Sequence, residues 1–302
     1  MQIKPLLMLS PMLVVQSAFG HALNEATGIA WNFAPEVVLP LLLTVSAYVA
    51  GIRHLQGRIV SRSHCIAFAL GMLALVIALM SPLDLLAGVL FSAHMTQHLL
   101  LMLIAPPLLV LGRIELALLW ALPLPLRRVI GHGWRKAAGL RFVAGLLSRP
   151  VSVWLLASAA MWFWHIPGPY AWAFYNPIIH ILEHLSFLLT FLAFWALALR
   201  PISRDKSGHG VALMLLITFA MESALLGALL VFAGHPFYAV HMEEVSRQLP
   251  QFLADLSALQ DQQLAGLIMW VPAGMVQLVA PIAVFADWLS VSQNRRLGSV
   301  ES

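Results

Sequence analysis

The sequence predicts an all-α fold, a polytopic integral membrane bundle of seven transmembrane helices that follows an N-terminal signal peptide. Of the 302 residues, 61% are hydrophobic and only 10% are charged, whereas soluble domains average about 25% charged residues. Apolar stretches about as long as a membrane-spanning helix recur along the chain. Basic residues are concentrated in alternate loops between these stretches, as expected for a chain that crosses a bilayer several times.

The first 22 residues have the features of a secretory signal peptide. A basic residue precedes an apolar stretch over 5–15, and small side chains follow it, which is the usual order of a signal and its cleavage site. Cleavage after Gly20 or Ala22 fits the pattern, and an uncleaved additional helix is the alternative. Cleavage after Gly20 would make His21 the new N-terminus, where its amine and imidazole together suit a cupric ion. The rest of the chain, residues 23–302, is predicted to form one transmembrane domain.

The basic residues predict how the bundle is oriented. Fifteen of the 17 lysines and arginines follow the first, third, fifth or seventh apolar stretch, and loops with this bias stay in the cytoplasm. The N-terminus is therefore predicted to be periplasmic and the C-terminus cytoplasmic, in a bacterial inner membrane. The predicted spans are 35–52, 66–81, 90–111, 150–166, 177–199, 210–233 and 264–288.

Two segments between the spans have patterns of their own. Residues 124–147 mix basic and apolar side chains, which predicts an amphipathic helix on the cytoplasmic surface of the lipid bilayer. Residues 234–263 are predicted to form a long external loop that caps the outer ends of the helices. The net charge of +4 comes from these membrane-flanking positions, so we predict no nucleic-acid partner.

Two histidine pairs lie at helical spacing inside apolar spans. His94 and His98 are four residues apart, as are His180 and His184, and His165 lies at the end of a third span. Residues four apart share one helix face, and imidazole is the commonest metal ligand among side chains. The sequence therefore predicts a metal site inside the membrane.

Distance along the helices places these histidines in one layer. His98, His165 and His184 lie 15 or 16 residues from the nearest cytoplasmic basic residue, which is roughly 22–24 Å along a helix. The other two histidines lie about one turn nearer the periplasm. Four helices are therefore expected to converge on one plane in the outer leaflet.

Glu222, Glu183 and Met95 are candidates for further ligands or for residues that orient the histidines. Glu222 falls near the histidine layer by the same measure, and Glu183 and Met95 are each next to a paired histidine. Carboxylates often orient metal-bound imidazoles, and thioethers suit cuprous ion, although methionine is also an ordinary packing residue. Histidines that form interhelical hydrogen bonds or relay protons are the alternative to a metal site. The single cysteine, Cys65, excludes a disulfide framework and a thiol pair.

Five segments carry a resemblance to a known family: 92–98, 105–109, 164–170, 180–187 and 261–270. In these segments the chain resembles the CtaG family of cytochrome c oxidase assembly factors, seven-helix membrane proteins associated with caa3-type oxidases. The resemblance implies a non-enzymatic protein that binds copper and helps to metallate a haem–copper oxidase. The implied partners are an oxidase subunit and a periplasmic copper donor.

The resemblance leads to a hypothesis for copper transfer. Copper from the donor would be captured at the outer histidine of each pair, held by the five histidines, and released to the oxidase subunit. Three polar residues that lead into the seventh span from outside are expected to gate the site or contact the client: Asp261, Gln262 and Gln263.

Other classes of protein fit parts of the pattern. His180, Glu183 and His184 match the H-x-x-E-H motif of zinc peptidases, with Glu183 as the base, and facing histidines would also suit haem. The second histidine pair is surplus to a single zinc site. A copper importer would need polar residues in the cytoplasmic halves of the spans, where Leu, Ala and Val dominate. A zinc metallohydrolase and a haem-binding protein remain as alternatives to a copper carrier.

Overall fold

A computed structural model describes residues 31–55, 59–199, 206–238 and 256–298, and every regular element within these ranges is helical. The predicted signal peptide and His21 lie outside the described residues. Six segments are long and apolar enough to cross a membrane, and a seventh span requires a pair of helices bent by 69°, Ala138–Leu147 and Pro150–Trp164. The prediction of an all-helical multi-pass membrane protein is therefore confirmed, with six spans or seven.

The described residues form thirteen α-helices. In chain order they are α1 (Pro35–His54), α2 (Arg62–Leu79), α3 (Pro82–Ala87), α4 (Phe91–Leu99), α5 (Ala105–Leu111), α6 (Ile114–Ala121), α7 (Leu124–Lys136), α8 (Ala138–Leu147), α9 (Pro150–Trp164), α10 (Pro167–Tyr175), α11 (Pro177–Leu199), α12 (Lys206–Val231) and α13 (Ala258–Gly298).

The third span is interrupted, and Pro106 explains the interruption. A regular α-helix would pair the carbonyl of Met102 with the backbone N–H of residue 106, which proline lacks. The chain instead forms a π-helical segment over Leu100–Ile104, between α4 and α5. The indole of Trp195 on α11 donates a 2.9 Å hydrogen bond to the Met102 carbonyl. Because an unpaired carbonyl is costly inside a bilayer, this bond fixes α11 against the third span.

The amphipathic segment is two helices rather than one. The predicted helix over 124–147 breaks at Ala137, whose ψ of 71° is not helical. Neither α7 nor α8 contains a buried residue. Apolar side chains such as Phe142 and Val129 are exposed, so both helices have apolar surface available to lipid.

The last helix begins earlier than the sequence analysis predicted. Ser257 and Gln260 form a capping box, in which the Ser257 nitrogen donates to Gln260 Oε1 at 2.8 Å and the Gln260 nitrogen donates to Ser257 Oγ at 3.2 Å. This pattern of serine followed three residues later by glutamine is a helix-start signal. Residues 258–263, which were predicted to belong to the external loop, are therefore helical.

The core consists of two groups of buried apolar side chains. The larger group joins α4, α9, α11, α12 and α13 around aromatic residues of α11, including Phe187, Phe191 and Phe194. The smaller group joins α1, α2 and α5 around the stacked rings of Tyr48 and Phe68. The larger group supports the predicted metal site, because the ring of Phe187 lies 4.6 Å from that of His98.

Candidate metal centre

The structure brings all five predicted histidines together. His94 and His98 lie on α4, His180 and His184 lie on α11, and His165 ends α9. The ring centroids are 4.2 Å apart within each pair, 5.7 Å apart for His94 and His180, and 5.8 Å apart for His98 and His184. The ring of His165 lies 5.9 Å from that of His98.

The carboxylate of Glu183 lies between the two histidine pairs. Its Oε1 is 3.5 Å from His98 Nε2 and 3.9 Å from His94 Nε2, and its side chain is fully buried. Glu183 forms a group of close ligand atoms with each pair in turn, and within each group these atoms lie within 4.8 Å of one another. We call Glu183 and these four histidines the cup.

Seven polar atoms of the cup are buried and have no hydrogen-bond partner among the described residues. They are Nε2 of His94, His98, His180 and His184, Nδ1 of His98, and both carboxylate oxygens of Glu183. An unsatisfied buried polar group costs about 1–3 kcal/mol, so a bare cluster of seven is costly to the fold. A cation bound within either close ligand group would offer the donor atoms of that group a shared partner. Imidazole nitrogens with one carboxylate form a donor set that suits copper or zinc.

Asp261 holds the start of the helix that carries His94 and His98. Its carboxylate accepts hydrogen bonds from the backbone nitrogens of Phe91 and Ser92, at 2.7 and 3.1 Å, and also from the Ser92 hydroxyl. No side chain within α4 caps this end, so Asp261 takes the role of an N-cap from another helix.

The other two residues expected to gate the site also lie at the start of α13. Gln262 is buried, accepts a 2.6 Å hydrogen bond from the Phe237 nitrogen and donates at 3.4 Å to the Leu230 carbonyl. Gln263 is half-buried. Through these contacts Gln262 joins the start of α13 to Leu230 on α12 and to Phe237. A role in gating or client contact stays a prediction for all three residues.

Gln97 and Asp84 fix the other side of α4, and the sequence analysis did not identify either of them as a site residue. The Gln97 amide, which is fully buried, donates to the Ala78 carbonyl at 2.7 Å and to Asp84 Oδ1 at 2.8 Å. Asn32 donates to the second oxygen of Asp84 at 2.8 Å. The pKa of Asp84 is raised above its ordinary value because the carboxyl group is buried, although the two amide hydrogen bonds act in the opposite direction. Gln97 could have been identified from the sequence, because it is a polar amide that lies between His94 and His98 within a predicted span.

The two remaining candidates differ in position. Met95 lies against His165, with its Sδ 3.2 Å from His165 Nε2. Glu222 belongs to neither of the close ligand groups. It is half-buried on α12, and its Oε2 is a buried atom with no partner among the described residues.

Comparison with known proteins identifies the family. The family model described as cytochrome c oxidase caa3 assembly factor matches residues 46–290, which include the cup, His165 and Asp261. Neither the curated proteins nor the solved structures contain a match. Because the matched range covers most of the chain, this protein belongs to the family of cytochrome c oxidase caa3 assembly factors.

Proposed function

We propose that this assembly factor binds copper in the cup and delivers it to a subunit of a haem–copper oxidase. The observation that carries the proposal is the set of seven buried donor atoms without hydrogen-bond partners on His94, His98, His180, Glu183 and His184. A purely structural cluster would be expected to hydrogen-bond these atoms to one another or to the backbone. Within each of the two groups that include Glu183, the ligand atoms are close enough to share an ion.

Copper is the metal that best fits both the donor atoms of the site and the role of the family. The donor set by itself admits several first-row metals, among which copper binds most tightly in the usual order of divalent affinities. Haem–copper oxidases contain copper, so a factor that assembles one has a use for copper as cargo. In this proposal the protein is a carrier and not an enzyme.

The cup is proposed to face the periplasm. Arg113 lies at the far end of the third span from His94, where its Nε donates to His64 near the start of α2. Arginines gather on the cytoplasmic side of membrane proteins, so the opposite end, where α4 begins, is proposed to face the periplasm. A periplasmic copper donor and the oxidase subunit would meet the protein on this side, near Asp261 and Gln263.

The first experiment measures metal bound to the full-length protein purified in detergent. Elemental mass spectrometry should find copper in the wild type and lose it in the double variant His98→Ala, His184→Ala. The matched control is His132→Ala, His235→Ala, which removes two exposed histidines outside the cup and should keep the copper. A visible spectrum recorded beside it would reveal haem.

Each outcome separates the proposal from the alternatives. Zinc in place of copper, lost in the same double variant, would favour the metallohydrolase. A haem absorption band would favour the haem-binding protein. Delivery is tested separately in cells, where the double variant should leave the oxidase short of copper. Normal oxidase copper content with that variant present in the membrane would contradict a carrier function.

A further inference from the structure

His165 presents an imidazole nitrogen with a free lone pair. Its Nδ1 lies 2.6 Å from the carbonyl oxygen of Met161, and because a carbonyl only accepts, Nδ1 carries the proton. In the neutral ring Nε2 is then unprotonated. The Tyr238 hydroxyl donates to the His165 carbonyl, so the backbone of this residue is also held. The direction of the Nε2 lone pair is therefore set by the fold.

That lone pair meets the thioether of Met95. The distance from His165 Nε2 to Met95 Sδ is 3.2 Å, and a thioether has no proton to donate. Two acceptor atoms therefore face each other with no hydrogen between them. Metal bonds of roughly 2.0 Å to nitrogen and 2.3 Å to sulfur allow both atoms to bind one ion at close to a right angle.

A methionine-rich cavity adjoins this contact. It is lined by His98 and by four methionines, Met95, Met102, Met161 and Met269, all of them buried. No carboxylate is present among its described lining residues. Thioethers and imidazole without a carboxylate form a soft donor set of low charge, which favours cuprous copper over zinc or cupric ion.

His98 connects this cavity to the cup. Its Nε2 lies 3.5 Å from Glu183 Oε1, its ring is 5.8 Å from that of His184 and 5.9 Å from that of His165, and both of its ring nitrogens are buried without a partner. Because a neutral imidazole has one unprotonated nitrogen, His98 is placed to bind an ion on one side or the other, one at a time.

We infer that the protein has a second subsite, formed by His165, Met95 and His98, that binds a cuprous ion beside the cup. The inference rests on the proposed function, because it assumes that the cargo is copper. It adds that the protein has a separate site of soft donors that is selective for monovalent copper. His98 can bind an ion in either subsite, one at a time. Met102, Met161 and Met269 line the adjoining cavity.

The test uses full-length protein in detergent, loaded with Cu(I) under anaerobic reducing conditions. X-ray absorption at the copper edge should show a sulfur neighbour as well as nitrogen. The variant Met95→Leu keeps the side chain's volume and should lose the sulfur signal. Loss of a residue that only hydrogen-bonds to a metal ligand lowers metal affinity by roughly 10- to 100-fold. Loss of a ligand itself should therefore weaken Cu(I) binding at least about tenfold. Zn(II) binding should be unchanged.

Met72→Leu is the matched control. Met72 is also buried, but it belongs to the smaller core group on α2, and its replacement should leave both the spectrum and the Cu(I) affinity unchanged. Cu(I)-loaded wild type with only nitrogen or oxygen neighbours would overturn the subsite and leave the proposed copper cup standing. Failure of the wild type to bind copper in either oxidation state would overturn both.

Discussion

The carboxylate of Asp261, in the first turn of α13, accepts a 2.7 Å hydrogen bond from the backbone nitrogen of Phe91, the first residue of α4. The two residues are 170 positions apart in the chain. A negative charge at a helix N-terminus is favourable, and here it comes from a different transmembrane helix. His94 is in the same first turn of α4, so this contact between α13 and α4 holds the turn that carries the first cup histidine.

Replacing Asp261 with alanine should weaken both the fold and the site. Loss of an N-cap costs about 1–2 kcal/mol, and fraying of the first turn would displace His94. We expect a lower melting temperature and a lower copper content in the purified variant. Gln263→Ala, on the same helix and only half-buried, should change neither. A variant with the wild-type melting temperature and full copper would show that this cap is dispensable.

The convergence of the histidines could be predicted because it depends on simple geometry. His94 and His98 share a face through helix periodicity, and the depth of His98 and His184 follows from the rise per residue. These two measures require no knowledge of which helices are neighbours. Periodicity and rise therefore predict that the histidines lie near one another. They do not predict which histidine of α4 faces which histidine of α11.

Glu183 was a candidate because it is next to His184, but its position between the two histidine pairs could not be predicted in the same way. Which face of α11 meets α4 depends on how α11 is rotated about its axis, and an apolar span carries little periodic signal for that rotation. In the structure the rotation is fixed by contacts such as Trp195 with the Met102 carbonyl. That carbonyl is available only because Pro106 interrupts the third span. The position of Glu183 is therefore a consequence of tertiary contacts.

Gln97 should matter for stability even though it is not a proposed ligand. Gln97→Met would remove the donor to the Ala78 carbonyl and to Asp84 Oδ1, leaving buried acceptors unpaired at a cost of about 1–3 kcal/mol. We expect a lower melting temperature in detergent. Combined with Asp84→Ala, the loss should be less than the sum of the single losses, since both changes remove the hydrogen bond between Gln97 and Asp84. Additive losses would mean that the hydrogen bond contributes nothing to stability.

Close contact between α12 and α13 should depend on two glycines. A Cβ on Gly227 would lie 3.0 Å from the Gly266 carbonyl oxygen, and a Cβ on Gly266 would lie 2.8 Å from the Gly227 carbonyl oxygen. Small residues allow such backbone approach in membrane bundles. Gly266→Ala should therefore separate the helices and destabilise the protein by about 1–3 kcal/mol.

Gly274 on the same helix provides the matched control. Apart from its chain neighbours and the nearby backbone of its own helix, no atom of the described residues lies within 4 Å of a Cβ built at this position. Gly274→Ala should therefore be neutral or slightly stabilising, because alanine favours the helix. Melting temperatures of the two variants in the same detergent provide the comparison. Equal effects at Gly266 and Gly274 would rule out close packing as the reason for Gly266.

Glu183 should stabilise the copper-bound protein and destabilise the metal-free one. Its carboxylate is buried and neither of its oxygens has a hydrogen-bond partner among the described residues, and an ionised carboxylate is costly to bury. Glu183→Gln keeps the size and removes the charge. We therefore expect the metal-free variant to melt at a higher temperature than the wild type. With copper present the order should reverse, because a ligand that binds only the folded state stabilises in proportion to its affinity.

Glu222→Gln separates an effect of the cup from a general effect of removing an intramembrane carboxylate. Glu222 also has a buried oxygen without a partner among the described residues, but it belongs to neither close ligand group. Its replacement should leave the copper-induced rise in melting temperature at the wild-type value, whereas Glu183→Gln should reduce that rise. The same rise in both variants and the wild type would exclude Glu183 as a copper ligand. A reduced rise in both variants would show that the copper site extends to Glu222 on α12, beyond the residues of the cup.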